Sequence, residues 1–169
     1  MENKITIKDL NNLHSKAILD LILPIQQIEF NVPVTLKDQP DLLDVERYYI
    51  NNGGGFWGAF LNENLVGTIA LINVGHRAGA IRKMFVKKEF RGNELCISQQ
   101  LFATLRKYCI KNEIDDLYLG TVDMLKAAHR FYEKNGFERL TKEQLPDYFP
   151  NMTGENVYYH LQIKKHEYN

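Results

Sequence analysis

The sequence holds two cysteines, five prolines and one tryptophan in 169 residues, and no surplus of charge, since 21 basic side chains balance 21 acidic ones. Each shortage excludes something. Cys96 and Cys109 lie thirteen positions apart within one helical pattern, an arrangement that cannot close a disulfide, and no CxxC pair offers a metal clamp. Zero net charge argues against a general nucleic-acid binder, which needs a Lys/Arg surplus to displace counterions from phosphates. It argues equally against a polybasic membrane anchor. No stretch approaches the roughly 18–20 apolar residues that span a bilayer. The opening MENKITIKDL has no apolar run behind its charges. The expectation is therefore a reduced, cytoplasmic protein with neither nucleic acid nor membrane as partner.

What is present suits one globular domain. Hydrophobic residues make up 44% of the chain, enough for a core without disulfides, and domains commonly run to roughly 100–200 residues. A single domain over 1–169 is expected. Lys4 to Ile7 alternates as a first strand. Ile18, Leu21, Ile22, Ile25 and Ile28 recur at helical spacing from Ser15 to Phe30, with Pro24 set to kink or split the run. Asp41 to Tyr49 suggests a short helix. Phe56–Phe60 and Leu65–Asn73 read as a hairpin around Asn62-Glu63-Asn64, and Gly79–Val86 as a further strand. Glu94–Lys111 is the clearest helix, with Ile97, Leu101, Leu105, Tyr108 and Cys109 on one face. Asp116–Thr121 follows as a strand. Asp123 is the expected N-cap of a helix through Lys134, which Asn135-Gly136 stops. Phe137–Thr141 and Asn156–Ile163 complete a mixed α/β order.

Two segments invite chemistry. Gly53-Gly54-Gly55 resembles a phosphate loop only superficially: a Walker loop ends in Gly-Lys-Ser/Thr and opens a helix, whereas Phe56-Trp57 opens a strand. A turn is the expected role. No HExxH, nucleophile elbow or dinucleotide fingerprint occurs. The stretch Arg82 to Ile97 is richer, with Arg82, Lys83, Lys87, Lys88 and Arg91 within ten residues of a strand–turn–helix. The exposed N–H groups and dipole of a helix N-terminus attract anions, and Gly92 allows close backbone approach. On physical grounds alone, an ordinary solvated loop stands equal to an anion site.

The run MFVKKEFRGNELCI before an amphipathic helix, followed by AAHRFYEKNGF before a strand, resembles the GNAT superfamily of acetyl-CoA-dependent N-acetyltransferases. The resemblance covers essentially the whole chain. It implies an α/β (α+β) fold: a single GNAT-like domain with a mixed central sheet of about six to seven strands flanked by helices. It also implies that the turn wraps the pyrophosphate of coenzyme A, which nominates Met84, Phe85, Val86, Arg91, Gly92, Asn93, Glu94, Leu95, Cys96 and Ile97 as cofactor-binding. Backbone groups of Met84 and Val86 would pair with the pantetheine arm where the strands Ile81–Val86 and Leu117–Thr121 splay apart. Tyr132 would lie near the thioester sulfur as general acid, its reference pKa of roughly 10 matching a thiolate leaving group. The partners implied are acetyl-CoA and a primary amine acceptor, either a small molecule or an exposed protein amine, which attacks directly in a ternary complex, with no metal, in a monomer or homodimer.

The sequence departs from the family pattern at three places. Glu94 and Cys96 stand where small residues are preferred, and Leu125 replaces an asparagine that many members use to bond pantetheine. These departures support an alternative, a catalytically weak acyl-CoA sensor on the same fold. The bland reading of Tyr132 is a core aromatic packed with Phe131 and Phe137. Glu29, His129 or water are the candidates for the base. Acceptor contacts are expected from Gln26–Val34 and Pro146–Met152, where acids and aromatics suit an amine.

Overall fold

The computed structural model describes residues 4–92, 94–152 and 154–163. Seven strands follow the order β1-β2-β3-β4-β5-β7-β6: β1 Ile5–Asp9, β2 Gly55–Leu61, β3 Asn64–Gly75, β4 Ala78–Val86, β5 Asp116–Thr121, β6 Glu138–Leu140 and β7 Val157–Gln162. Three α-helices accompany them, α1 Ser15–Pro24, α2 Ile97–Lys111 and α3 Lys126–Lys134. The β4–β5 pair is parallel, whereas β1–β2, β2–β3, β5–β7 and β6–β7 are antiparallel, so the sheet is mixed. By its internal contacts the chain divides into two compact units. The first comprises Met1–Ile72 and Arg82–Tyr108, the second Asn73–Ile81 and Cys109–Asn169.

In the first unit β1 and β3 flank β2 antiparallel, and the β2–β3 hairpin turns through Asn62-Glu63 with Asn62 at φ +58°. Asparagine tolerates that left-handed conformation better than other non-glycine residues, which explains a two-residue turn without glycine. Ile18, Leu21 and Ile22 bury one stripe of α1 against Leu42, Val45, Tyr49, Phe56 and Phe60. Each such aliphatic side chain removed from water contributes about 2 kcal/mol. Pro24 ends α1 as its last residue. Proline has no N–H to continue the ladder, and the chain passes into a wider π-type turn, Ile25–Glu29, closed by Phe30 N–H on the Ile25 carbonyl at 3.1 Å. The helix expected over Asp41–Tyr49 is instead two short turns, Pro40–Leu43 and Glu46–Ile50. Between them Asp44 is extended, at φ −148° and ψ 69°, and its carboxylate restarts the chain by accepting the Arg47 N–H at 3.2 Å. The helix α2 meets β3 at Gly67, where an added Cβ would lie 3.0 Å from Ile97 and 3.2 Å from Leu101.

In the second unit β4 and β5 register over Ala78–Ala80 against Asp116–Tyr118, while the strands run on to Val86 and Thr121. The strand β7 then pairs with β5 along its whole length and with β6 over three residues. Asp123 does not cap α3. That position belongs to Leu125, which makes no side-chain cap, while Asp123 accepts a hydrogen bond from Lys126 Nζ at 2.9 Å and its own N–H donates to Asn156 Oδ1. Asn135 and Gly136 end the helix as expected, with Gly136 at φ +92°.

Candidate functional site

The glycine triplet serves backbone packing. Gly53 turns at φ +88°, and a Cβ on Gly54 would lie 2.0 Å from the Leu71 carbonyl oxygen and 3.0 Å from that of Tyr49. Only a glycine admits so close a backbone approach, which accounts for the motif without a ligand.

The basic stretch divides in two. Arg82 and Lys83 turn inward, Arg82 being 7% exposed and the Lys83 side chain 8%. Lys87, Lys88 and Arg91 remain at the turn that follows β4. Lys87 N–H donates to the Val66 carbonyl at 2.8 Å, and Lys88–Phe90 forms a single 3-10 turn. Arg91 is fixed on three sides. Its Nε donates to the Val86 carbonyl at 2.8 Å, its two terminal nitrogens donate to the Glu29 carboxylate, and its guanidinium lies 5.7 Å from the Phe30 ring centre. The side chain nominated for phosphate thus holds the segment nominated for the acceptor. Arg91 also pulls the Glu29 carboxyl below the usual carboxylate range; burial opposes this and Lys88 assists it. Beside this pair, α1 and the turn enclose an open cleft of about 220 Å³ with Leu21, Pro24, Ile25 and Ile28 on one side and Lys87, Lys88 and Glu89 on the other.

Gly92 stands at φ +112° with open space around it, and Cys96 stands at φ +53°. A cysteine therefore adopts the left-handed conformation that glycine favours, immediately before α2 begins. The Cys96 carbonyl accepts Gln100 N–H at 3.0 Å, and no acid occupies the first turn of α2. Glu94 precedes the helix and is exposed, which leaves its carboxylate solvated. Leu95 is half-buried, Ile97 is buried beneath the helix, and Met84 and Phe85 are half-buried on β4 beside the buried Val86. Asn93 lies outside the described residues.

The second unit holds the other candidates. Tyr132 is 7% exposed on α3, and its ring packs edge-on against Phe131 at 5.8 Å and Phe137 at 5.6 Å, with Tyr159 also at 5.6 Å. It is a core aromatic in its packing. Burial first, and then Tyr159, push its hydroxyl well above the ordinary tyrosine range, so it stays protonated and able to donate. Tyr159 O–H donates to Glu133 at 2.6 Å. His129 is buried, with Nε2 2.9 Å from the Val122 carbonyl. A carbonyl only accepts, so Nε2 carries the proton and any basic role falls to Nδ1. His76 is exposed but stacked on Tyr148, with ring centres 4.1 Å apart.

A buried polar cluster in the first unit escaped the sequence reading. Lys83 Nζ donates to Gln39 Oε1 at 2.6 Å and lies 3.6 Å from Asp41 Oδ2, which accepts the Tyr49 hydroxyl at 2.6 Å. Gln39 and Gln26 exchange two amide hydrogen bonds of 3.0 and 2.8 Å. The basic run was the available signal, but nothing local told that part of it turns inward. Among the described residues no group of three or more His, Cys, Asp or Glu side chains could hold a metal, and no helix is long and apolar enough to cross a membrane.

The sequence profile described as "Acetyltransferase (GNAT) family" matches residues 19–137. A GNAT-family acetyltransferase structure from Staphylococcus aureus is 38% identical, with a TM-score of 0.90 over 95% of this chain and 99% of that one. The structure of PaiA N-acetyltransferase from Thermoplasma acidophilum in complex with coenzyme A shares the fold, with a TM-score of 0.72 at 17% identity over 95% of this chain and 99% of that one. Among curated proteins, N-acetylaspartate synthetase of Danio rerio is 30% identical over 75% of this chain and 48% of its own length. The human protein of that name is 29% identical over 76% and 42%. The chain spans about half the length of the curated relatives it matches.

Proposed function

Because the chain belongs to the acetyltransferase (GNAT) family, we propose that it transfers an acetyl group from acetyl-CoA to the primary amine of a small molecule. The observation that carries this reading is the turn from Gly92 to Cys96, left-handed at both ends and leading directly into the fifteen-residue α2. Backbone N–H groups at such a helix start suit a pyrophosphate, and Lys87 and Lys88 supply positive charge beside it. The neutral acceptor nitrogen attacks the thioester carbonyl carbon directly, the C–S bond breaks, Tyr132 donates its proton to the departing thiolate, and the proton the nitrogen loses passes through water to restore the Tyr132 hydroxyl. Burial keeps the hydroxyl protonated but also makes it a weaker acid than an ordinary tyrosine, so the role asks for a pKa lowered towards that of the thiolate when acetyl-CoA is bound. Acidic amino acids are the first acceptors to test, because the curated relatives are named N-acetylaspartate synthetase.

The test follows free thiol and product mass during incubation with acetyl-CoA and a panel of amines. Thiol release that depends on one class of amine supports the enzyme. Tight coenzyme A binding without transfer to any amine overturns it and leaves the acyl-CoA sensor. The exposure of Glu94 weakens one of the three supports of the sensor reading, because its carboxylate can point to solvent rather than to the phosphates.

A further inference from the structure

At Arg91 two anions have a claim on one cation. A guanidinium carries five N–H donors. The Nε donor is committed to the Val86 carbonyl at 2.8 Å, and one donor on each terminal nitrogen goes to the Glu29 carboxylate. Carboxylate and phosphate use the same forked seat on an arginine, and here the carboxylate holds it. The two donors left over point away from each other and make no second fork.

Arg91 keeps its place without Glu29. The Val86 carbonyl ties the guanidinium to the end of β4, and the Phe30 ring centre lies 5.7 Å from it. Glu29 is the exchangeable partner. It closes the π-type turn Ile25–Glu29, a local irregularity of a kind often kept at functional positions. It also borders the open cleft that Lys88 lines, and Lys88 is a second cation near enough to favour its charged form. The side chains of Arg91 and Glu29 are 35% and 23% exposed, so the carboxylate can leave the arginine without being stranded in the core.

We propose that Glu29 is a resident counter-anion, which holds the fork of Arg91 until the pyrophosphate of coenzyme A displaces it into the adjoining cleft. The inference rests on the acetyl-transfer reading, which places the pyrophosphate at the turn from Gly92 to Cys96. One arginine then couples two ligands. Cofactor binding releases a carboxylate on the very segment expected to meet the amine, and that carboxylate is no longer neutralised by Arg91. The coupling is reciprocal: whatever holds Glu29 on Arg91 weakens coenzyme A by the same factor.

The test is calorimetric titration of the full chain with coenzyme A. Glu29→Gln removes the competing charge and is expected to tighten binding about fivefold, the upper end of what a partly exposed ion pair supplies. Glu89→Gln removes a charge from the same cleft outside the fork, and should change affinity by less than about twofold because salt screens it. Affinity of Glu29→Gln equal to or weaker than that of wild type overturns the exchange, since Glu29 would then be holding Arg91 ready for the phosphate. Equal tightening by both variants overturns it too and marks a general field. A second readout needs no variant, namely carboxyl NMR titration of the wild type with and without coenzyme A. The Glu29 pKa, lowered by Arg91 in the free protein, should rise when coenzyme A is bound, because the arginine is lost and a phosphate stands nearby. An unchanged value overturns the exchange. If coenzyme A binds but its affinity ignores Glu29, the exchange falls and the acetyl-transfer reading stands. If the wild type binds no coenzyme A at millimolar concentration, both fall.

Discussion

Arg91 meets Glu29 with both terminal nitrogens, Nη2 donating to Oε1 at 2.7 Å and Nη1 to the other oxygen. This forked contact ties the turn after β4 to the segment after α1, sixty-two residues earlier in the chain. It gives Arg91 a structural occupation besides any phosphate. It also makes Glu29 a weaker base than an isolated glutamate, because the pairing favours the charged form.

The pair should register in stability. In a double-mutant cycle of Glu29→Gln and Arg91→Met, urea unfolding is expected to give a coupling of about 1 kcal/mol, modest because the arginine remains partly solvated. The sign with pH follows from the lowered Glu29 pKa. Its contribution is fully present above the ordinary carboxylate range and disappears as pH falls through the lowered value. Wild type and Glu29→Gln should therefore converge in acid and separate toward neutrality. Divergence that grows on acidification would contradict the assignment.

Tyr132→Phe isolates one hydroxyl in an otherwise unchanged aromatic box. Turnover is expected to fall about 100-fold, the lower end of what a positioned acid supplies, with coenzyme A affinity within twofold. Thiol-release kinetics beside a binding titration separate the two. A loss of both would mark Tyr132 as packing alone.

Cys96 bears a left-handed backbone without glycine's freedom. Cys96→Val should destabilise by about 1–2 kcal/mol, since a branched side chain tolerates that conformation poorly. Cys96→Gly should fold at least as well as wild type and bind coenzyme A no more weakly. Thermal unfolding with and without coenzyme A measures both. A valine variant as stable as wild type would refute the strained turn.

Gly54→Ala tests the close approach at the start of β2. Its Cβ would meet backbone oxygens that cannot swing aside, so a loss of at least about 2 kcal/mol is expected in denaturant unfolding. An unchanged midpoint would show that the backbone there has room.

Much of this was legible in periodicity. The helical spacing of Ile97, Leu101 and Leu105 anticipated a face that is fully buried, and the order of strands and helices followed from alternation and turn residues. The failures share a cause, namely partners distant in sequence. Asp123 carried the chemistry of a cap, but Lys126 takes its carboxylate and Asn156, thirty-three residues on, takes its N–H. Arg82 and Lys83 read as part of a solvated basic run. Their burial became visible only with Gln39, forty-four residues before Lys83, in place. The broken helix at Asp44 likewise depends on Asn12, whose amide donates to the Asp44 carboxylate at 2.9 Å. Periodicity reports which face of an element is apolar; it is silent about where a buried polar atom finds its partner.

The two cysteine sulfurs have opposite fates. Cys96 is exposed at the start of α2, whereas Cys109 is buried and its thiol is pushed up to about 12. Because the thiolate is the reacting form, an alkylating dye near neutral pH marks position 96 and passes over position 109. The unmutated protein thus carries a built-in attachment point for a fluorophore on the turn proposed to hold coenzyme A, where a change in emission would test occupancy directly. For the same reason, an oxidant strikes the turn before it reaches the core.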